Sequence, residues 1–267
     1  MRGVHRVRLV RALPLAVRAI IMPRVQSKSS ANAPSNAKAP SNEKAPSNEK
    51  APASVKAPAS VKARIGLMGG TFDPVHLGHL FIAEEARVRC NLERVVFFPN
   101  NRPAHREGKE AWADSQTRFE MTQLAVGGNP HFHVSRVELD RPGPSYAIDT
   151  LRHFGREYQG CELFFIVGAD SLNDVLTWHR GPELFDLCRF IAASRPGFSL
   201  ERAREKLTAS QRERVHFLET PGLHIASRDL RERVAQNLAI RYLVPDEVER
   251  AIRERGLYHA QKSPDAL

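Results

Sequence analysis

From Arg64 onward, short apolar runs alternate with stretches whose apolar residues recur at helical spacing. Ile65-Gly66-Leu67-Met68 predicts a strand, and Phe81-Ile82-Ala83-Glu84-Glu85-Ala86 a helix. Val95-Val96-Phe97-Phe98 predicts a second strand, ended by Pro99. Residues 115–126 predict a helix with Met121, Leu124 and Ala125 on one face and Gly127-Gly128 as its stop. Phe132 to Val137 alternates like a strand, and Tyr146 to Tyr158 reads as a helix. Leu163-Phe164-Phe165-Ile166-Val167 is continuously apolar, as a strand buried on both faces must be, and Phe190-Ile191-Ala192-Ala193 is another. Helices follow over 199–207, 227–238 and 246–255, while the charged run Glu201 to Arg214 reads as a solvated helix. The alternation predicts an α/β domain: a doubly wound, mostly parallel sheet with helices on both faces.

In such a sheet the ligand lies beyond the carboxyl ends of the strands. Gly69-Gly70, Pro99-Asn100, Gly168-Ala169-Asp170 and Ser194-Arg195-Pro196-Gly197 all follow strands, so they converge on one crevice.

Upstream of residue 63 the pattern disappears. Ala39-Pro40-Ser41-Asn42-Glu43-Lys44 recurs as Ala45 to Lys50 and then degrades through Ala51 to Lys56 and Ala57 to Lys62. Proline at that frequency removes backbone donors, and the unit has no apolar face to stack. Residues 27–62 are therefore expected to be a disordered, extended linker rather than a solenoid. Residues 1–25 are Arg-rich and free of acids. They read as an amphipathic targeting or surface segment or as a stretch upstream of an initiator at Met22, and a third reading has the tail as a whole binding RNA or anionic lipid weakly by charge alone. The expected organisation is a 1–62 extension, a domain over 63–260 and a short tail over 261–267.

Charge sharpens this division. The chain has 267 residues and a formal charge of +10. Residues 1–62 carry twelve basic and two acidic residues, which is the whole excess; the remainder carries 28 of each. No nucleic-acid partner is expected for the domain, because its own charge is balanced. Cys90, Cys161 and Cys188 are odd in number and have no metal-ligand spacing, which suggests a reducing, cytoplasmic setting. No apolar run reaches the ~18 residues of a spanning helix. Self-association is left open.

The candidate chemistry begins at Gly69-Gly70-Thr71-Phe72-Asp73-Pro74-Val75-His76-Leu77-Gly78-His79. Two glycines end a strand and two histidines stand at the mouth of a helix, where outward N–H groups and the helix dipole favour phosphate. Imidazoles there can donate to phosphoryl oxygens. Gly78 lets a ligand approach the backbone. A zinc pair lacks the His-Glu-x-x-His arrangement and a carboxylate. Neither a Walker loop nor a Gly-x-Gly-x-x-Gly fingerprint is present. Asp73-Pro74 reads as turn chemistry. A second anion site is expected at Ile225-Ala226-Ser227-Arg228-Asp229-Leu230-Arg231, where Ser227 suits an N-cap and Leu230, Val234 and Leu238 form a buried face. Arg231 runs against the dipole preference of a first turn, so it either meets a bound polyanion or pairs with a nearby glutamate. Asp170 suits a ribose hydroxyl or the N-cap of a helix over 171–177. His105-Arg106, with Arg102, sits in a polar loop that holds substrate phosphate or acts as a lid.

The Gly-Gly-Thr-Phe-Asp-Pro-x-His-x-Gly-His stretch resembles the signature of the nucleotidyltransferase superfamily with the His-x-Gly-His motif. Further stretches occur in order: Pro99-Asn100 with Pro103-Ala104-His105-Arg106, Gly143-Pro144-Ser145-Tyr146, Phe165 to Asp170, Arg195-Pro196-Gly197 and Gly256-Leu257-Tyr258. Together they resemble the bacterial nicotinate-nucleotide adenylyltransferases over 64–258. The resemblance implies a Rossmann-like fold and adenylyl transfer from ATP to nicotinate mononucleotide, with Mg²⁺ arriving with ATP. It implies that His76, His79 and Arg231 act on the ATP phosphates. Gly69, Gly70, Thr71, Phe72, Gly78, Gly168, Asp170, Arg195 and Ser227 are then expected around ATP. Asn100, His105, Arg106, Tyr146, Ala147 and Trp178 are expected around the mononucleotide, with Trp178 stacked on the pyridine ring. Ala147, Ala226 and Arg228 depart from the family, which often has threonine at the first position and small hydroxyl residues at the other two. The alternatives are another phosphate acceptor, such as nicotinamide mononucleotide, or a nucleotide-sensing module without catalysis.

Overall fold

The computed structural model describes residues 62–101, 111–194 and 200–259. Six parallel strands form one sheet: β1 (Arg64–Gly70), β2 (Arg94–Pro99), β3 (Phe132–Val134), β4 (Glu162–Gly168), β5 (Arg189–Ala193) and β6 (Val215–Leu218), in the order β3-β2-β1-β4-β5-β6. The order reverses between β1 and β4, so the crevice outside their carboxyl ends is the topological switch point. Gly70 is in register with Pro99, and Gly168 with Ala193.

Side chains alternate across the sheet, which explains why the strands are apolar throughout. Met68, Val95, Phe97, Phe164 and Ile166 enter one core layer. That layer is completed by α1 (Leu77–Arg89), α2 (Ser115–Val126), α8 (Ser227–Ala235) and α9 (Asp246–Glu254). Ile65, Leu67, Val96, Phe98, Leu163, Phe165 and Val167 enter the other. There they meet α3 (Ala147–Glu157), α4 (Ala169–Val175), α5 (Leu184–Leu187) and Leu207. Burying each of these large side chains stabilises the fold by roughly 1.5–3 kcal/mol before entropy is charged against it.

Local signals set the helix ends. Asp114 caps α2, its carboxylate accepting from Thr117 N–H at 2.9 Å and from the Thr117 hydroxyl at 2.6 Å. In α9, Asp246, Glu247 and Glu249 face the positive end of the dipole, and Val248, Ala251 and Ile252 are buried.

Several sequence expectations are corrected. The predicted strand over 132–137 stops at Val134, and the chain then turns through 137–140. On α2, Leu124 is exposed, and the buried face is Arg118, Phe119, Met121, Thr122 and Val126. The helix predicted over 227–238 ends at Ala235, leaving Leu238 exposed. The helix expected from residue 171 begins at Ala169. The charged run 201–214 is two short helices, α6 (Leu200–Glu205) and α7 (Ala209–Arg212), and it leads into β6, which periodicity did not reveal. No helix among the described residues is long and apolar enough to cross a membrane. The readings made for 1–61 and 260–267 lie outside the described residues.

Candidate active site

A crevice of about 1370 Å³ opens at the switch point. Its walls include Gly69, Gly70, Thr71, Phe72, His76 and His79 from the first strand–helix junction, and Asn100 after β2. Tyr146 and Ala147 come from the start of α3, Gly168 and Trp178 from the β4 side, and Ser227 and Arg231 from α8. The volume exceeds the ~300–1,000 Å³ usual for one small ligand, so there is room for two.

His76 precedes α1 in extended backbone, and His79 is its third helical residue. The His76 N–H donates to His79 Nδ1 at 3.2 Å. A ring nitrogen that accepts carries no proton, so in the neutral ring the proton of His79 sits on Nε2. The two imidazoles stack with centroids 3.7 Å apart and an interplanar angle of 28°. His76 is only 3% exposed. A Cβ on residue 78 would stand 3.0 Å from His76 Nδ1. Gly78 thus leaves free the space that the His76 ring occupies. Phe72 lines the crevice as well. Its side chain is buried, with the ring edge-on to His79 at a centroid distance of 5.1 Å and against Phe97 at 5.9 Å. It braces the histidine from behind. Cβ atoms on Gly69 and Gly70 would strike the rings of Phe98 and Phe72 at 2.5 and 2.8 Å, whereas Gly168 faces open space.

The loops that follow β1 and β2 are tied together by a residue the sequence did not single out. Arg118 is 2% exposed. It donates to the carbonyls of Thr71 at 2.7 Å, Asn100 at 2.8 Å and Ala113 at 3.1 Å. Burial holds its guanidinium below the usual arginine range, opposed by the charge of Asp73. Asp73 is the second residue missed. Read as a turn former, it is buried, and its carboxylate accepts from Trp112 N–H at 2.7 Å, Ala113 N–H at 3.2 Å and the Tyr258 hydroxyl at 2.7 Å. Burial, with the Asp73 charge beside it, pushes the Tyr258 hydroxyl far above the usual phenol range.

At the second expected anion site, Ala226 holds the N-cap position and Ser227 begins the helix. The Ser227 hydroxyl donates to the Pro74 carbonyl at 2.8 Å. It therefore pins α8 to the first loop rather than capping it. Arg231 does not pair with a glutamate: its Nη1 donates to the Asp73 carbonyl at 2.6 Å, 3.9 Å from Asp73 Oδ2. Its guanidinium lies over the Trp112 ring at 5.9 Å. Arg228 is exposed and pairs with Glu232 at 2.8 Å.

On the opposite wall, the Tyr146 and His179 rings lie 4.4 Å apart, and Trp178 meets Phe165 at 6.3 Å. Behind Tyr146, the buried Glu138 accepts from the Thr150 hydroxyl at 2.7 Å, and Arg141 donates to that hydroxyl at 2.8 Å. Burial raises the Glu138 carboxyl above the usual range. His105, Arg106, Arg195 and the Asp170 side chain lie outside the described residues. Among the described residues, no group of three or more His, Cys, Asp or Glu is placed to hold a metal ion.

Comparison with known proteins agrees with this geometry. Residues 67–233 match the cytidylyltransferase-like family. A protein of Moorella thermoacetica named "Probable nicotinate-nucleotide adenylyltransferase" is 48% identical over 199 residues, covering 73% of this chain and 91% of that protein. A Thermus thermophilus protein of the same name is 46% identical over 195 residues, covering 73% and 99%. Among solved structures, Plasmodium falciparum nicotinic acid mononucleotide adenylyltransferase complexed with NaAD superimposes with a TM-score of 0.62 at 17% identity, covering 73% of this chain and 97% of that one, a likeness of fold. The chain belongs to the nicotinate-nucleotide adenylyltransferase family of cytidylyltransferase-like proteins.

Proposed function

We infer that the crevice carries out adenylyl transfer from ATP to nicotinate mononucleotide, giving nicotinate adenine dinucleotide and pyrophosphate. An oxygen of the mononucleotide 5′-phosphate attacks the α-phosphorus of ATP in line. The bond from that phosphorus to the bridging oxygen breaks, and pyrophosphate leaves with the electron pair. The nucleophile is already an anion, so no general base is needed, and the protein's task is positioning and charge stabilisation. His79 donates from Nε2, and with His76 it faces the α- and β-phosphates. Arg231 holds the β/γ end, and the Gly69-Gly70-Thr71 backbone completes the cradle. ATP enters as its Mg²⁺ complex. Gly168 and Asp170 serve the ATP ribose, and Ser227 and Arg195 contribute to binding ATP. Asn100, Tyr146, Ala147 and Trp178, with His105 and Arg106, serve the mononucleotide. Having no side-chain hydroxyl, Ala147 offers the nicotinate carboxylate only its backbone at the start of α3. The free cysteines suit a reducing cytoplasm.

The observation that carries this reading is the His76–His79 unit, whose internal hydrogen bond fixes the proton on Nε2 of a crevice-lining imidazole. Pyrophosphate release measured with ATP and a panel of acceptors tests it. The highest kcat/KM is expected for nicotinate mononucleotide, ahead of nicotinamide mononucleotide, phosphopantetheine and sugar phosphates. Nucleotide binding without pyrophosphate release for any acceptor would overturn it.

A further inference from the structure

Asp73 takes part in no step of the reaction, yet its carboxylate is the meeting point of four segments of chain. It accepts two backbone N–H groups from Trp112 and Ala113, and one hydroxyl from Tyr258. Its own carbonyl holds Arg231 Nη1, which also lies 3.9 Å from Oδ2. Both contacts approach Nη1, so Asp73 leaves the Nη2–Nε edge of the fork to meet a phosphate, the geometry a guanidinium uses for bidentate anion contacts. Trp112 is 67% exposed, unusual for so large a ring, and it lies under the same guanidinium. The residue whose N–H anchors to the carboxylate thus also supplies the aromatic face beneath the cation.

We propose that Asp73 is a positioning residue for the ATP-binding side: its buried carboxylate anchors the Trp112 backbone and places a negative charge beside Arg231, whose Nη1 its own carbonyl holds, so that the two stand as one unit on the crevice wall. This rests on the reading of Arg231 as the grip on the ATP phosphates. A neutral amide of the same shape cannot replace the carboxylate. It would turn one acceptor into an N–H donor facing another donor, and it would remove the anion beside Arg231 and Arg118.

The test uses the full chain and three variants, Asp73→Asn, Arg231→Lys and the double variant, with ATP and nicotinate mononucleotide varied separately. Asp73→Asn is expected to raise the ATP KM about tenfold while the mononucleotide KM stays within about twofold. A role in folding alone would not produce that split. Because both residues belong to one unit, the double variant is expected within about twofold of the worse single one. An unchanged ATP KM in Asp73→Asn beside an impaired Arg231→Lys, or losses that multiply independently, would overturn the inference alone. An Arg231→Lys enzyme with unaltered ATP KM and kcat would remove the reading of Arg231, and the inference with it. If Asp73→Asn does not fold, Tyr258→Phe decides. It removes one donor to the carboxylate, and an ATP KM raised about two- to threefold is expected; no rise would overturn the proposal.

Discussion

The N–H of His76 donates to Nδ1 of His79 across one turn of chain, and the same two rings stack at 3.7 Å. The backbone of one histidine therefore dictates the tautomer of the other. On the proposed reading of this pair, a proton held on Nε2 in advance costs no reorganisation when charge builds on the phosphates, which is the condition for strong electrostatic stabilisation.

Replacing His79 with alanine removes that donor. Loss of a preorganised donor raises a barrier by ~2.7–4 kcal/mol, so kcat is expected to fall ~10²–10³-fold. The ring is not needed for the core, and the circular dichroism and Tm are expected to stay near those of the parent. Steady-state pyrophosphate release and a thermal melt check both halves.

Gly78→Ala tests the same unit without touching an imidazole. The added methyl would stand 3.0 Å from His76 Nδ1, so that ring must give by a few tenths of an ångström. That is well short of the ~1 Å misplacement that costs ~10²-fold in rate. A kcat reduced by about two- to tenfold with an intact fold is expected, and full turnover in this variant would show that the ring placement tolerates the shift.

Arg118→Lys addresses the tie between the two loops. Arg118 reaches three carbonyls with three separate N–H groups, a span a single ammonium does not match. At least one buried carbonyl loses its donor, at about 1–3 kcal/mol. Urea unfolding is expected to show a loss in that range, with an unchanged m-value.

Glu138→Gln probes the support behind Tyr146. Burial raises the Glu138 carboxyl above the ordinary carboxylate range, so the folded protein favours its protonated form. Its cost to stability is absent at low pH and appears as the pH rises through and beyond that range. The amide still accepts from Thr150 but carries no charge. The variant is expected to match the parent in Tm below about pH 4 and to melt higher at neutral pH. A Tm difference independent of pH would contradict this.

The parts of the structure legible in the sequence are those governed by local pattern. Strands β1, β2, β4 and β5 announce themselves because both of their faces are buried, and the histidine pair because its spacing places it at a helix mouth. Residues whose meaning lies at a distance were not legible. Asp73 looks like a turn former beside Pro74, and only the fold shows that its carboxylate meets Tyr258. No pattern in the sequence marks Arg118 on α2, although it is the largest of the fully buried side chains among the described residues. Strand β6 has four residues with charges before them, too few for a period to emerge. Ser227 has the composition of a cap, but the backbone turns one residue earlier, and its hydroxyl spans to Pro74 instead.

The Tyr258–Asp73 bond joins residues 185 positions apart. A growing polypeptide thus makes the first loop of the crevice early and finishes it only when α9 and the tyrosine behind it arrive. Until then that loop lacks a clasp, and a product cut short before Tyr258 would keep every histidine and arginine of the crevice while leaving its framework unlatched.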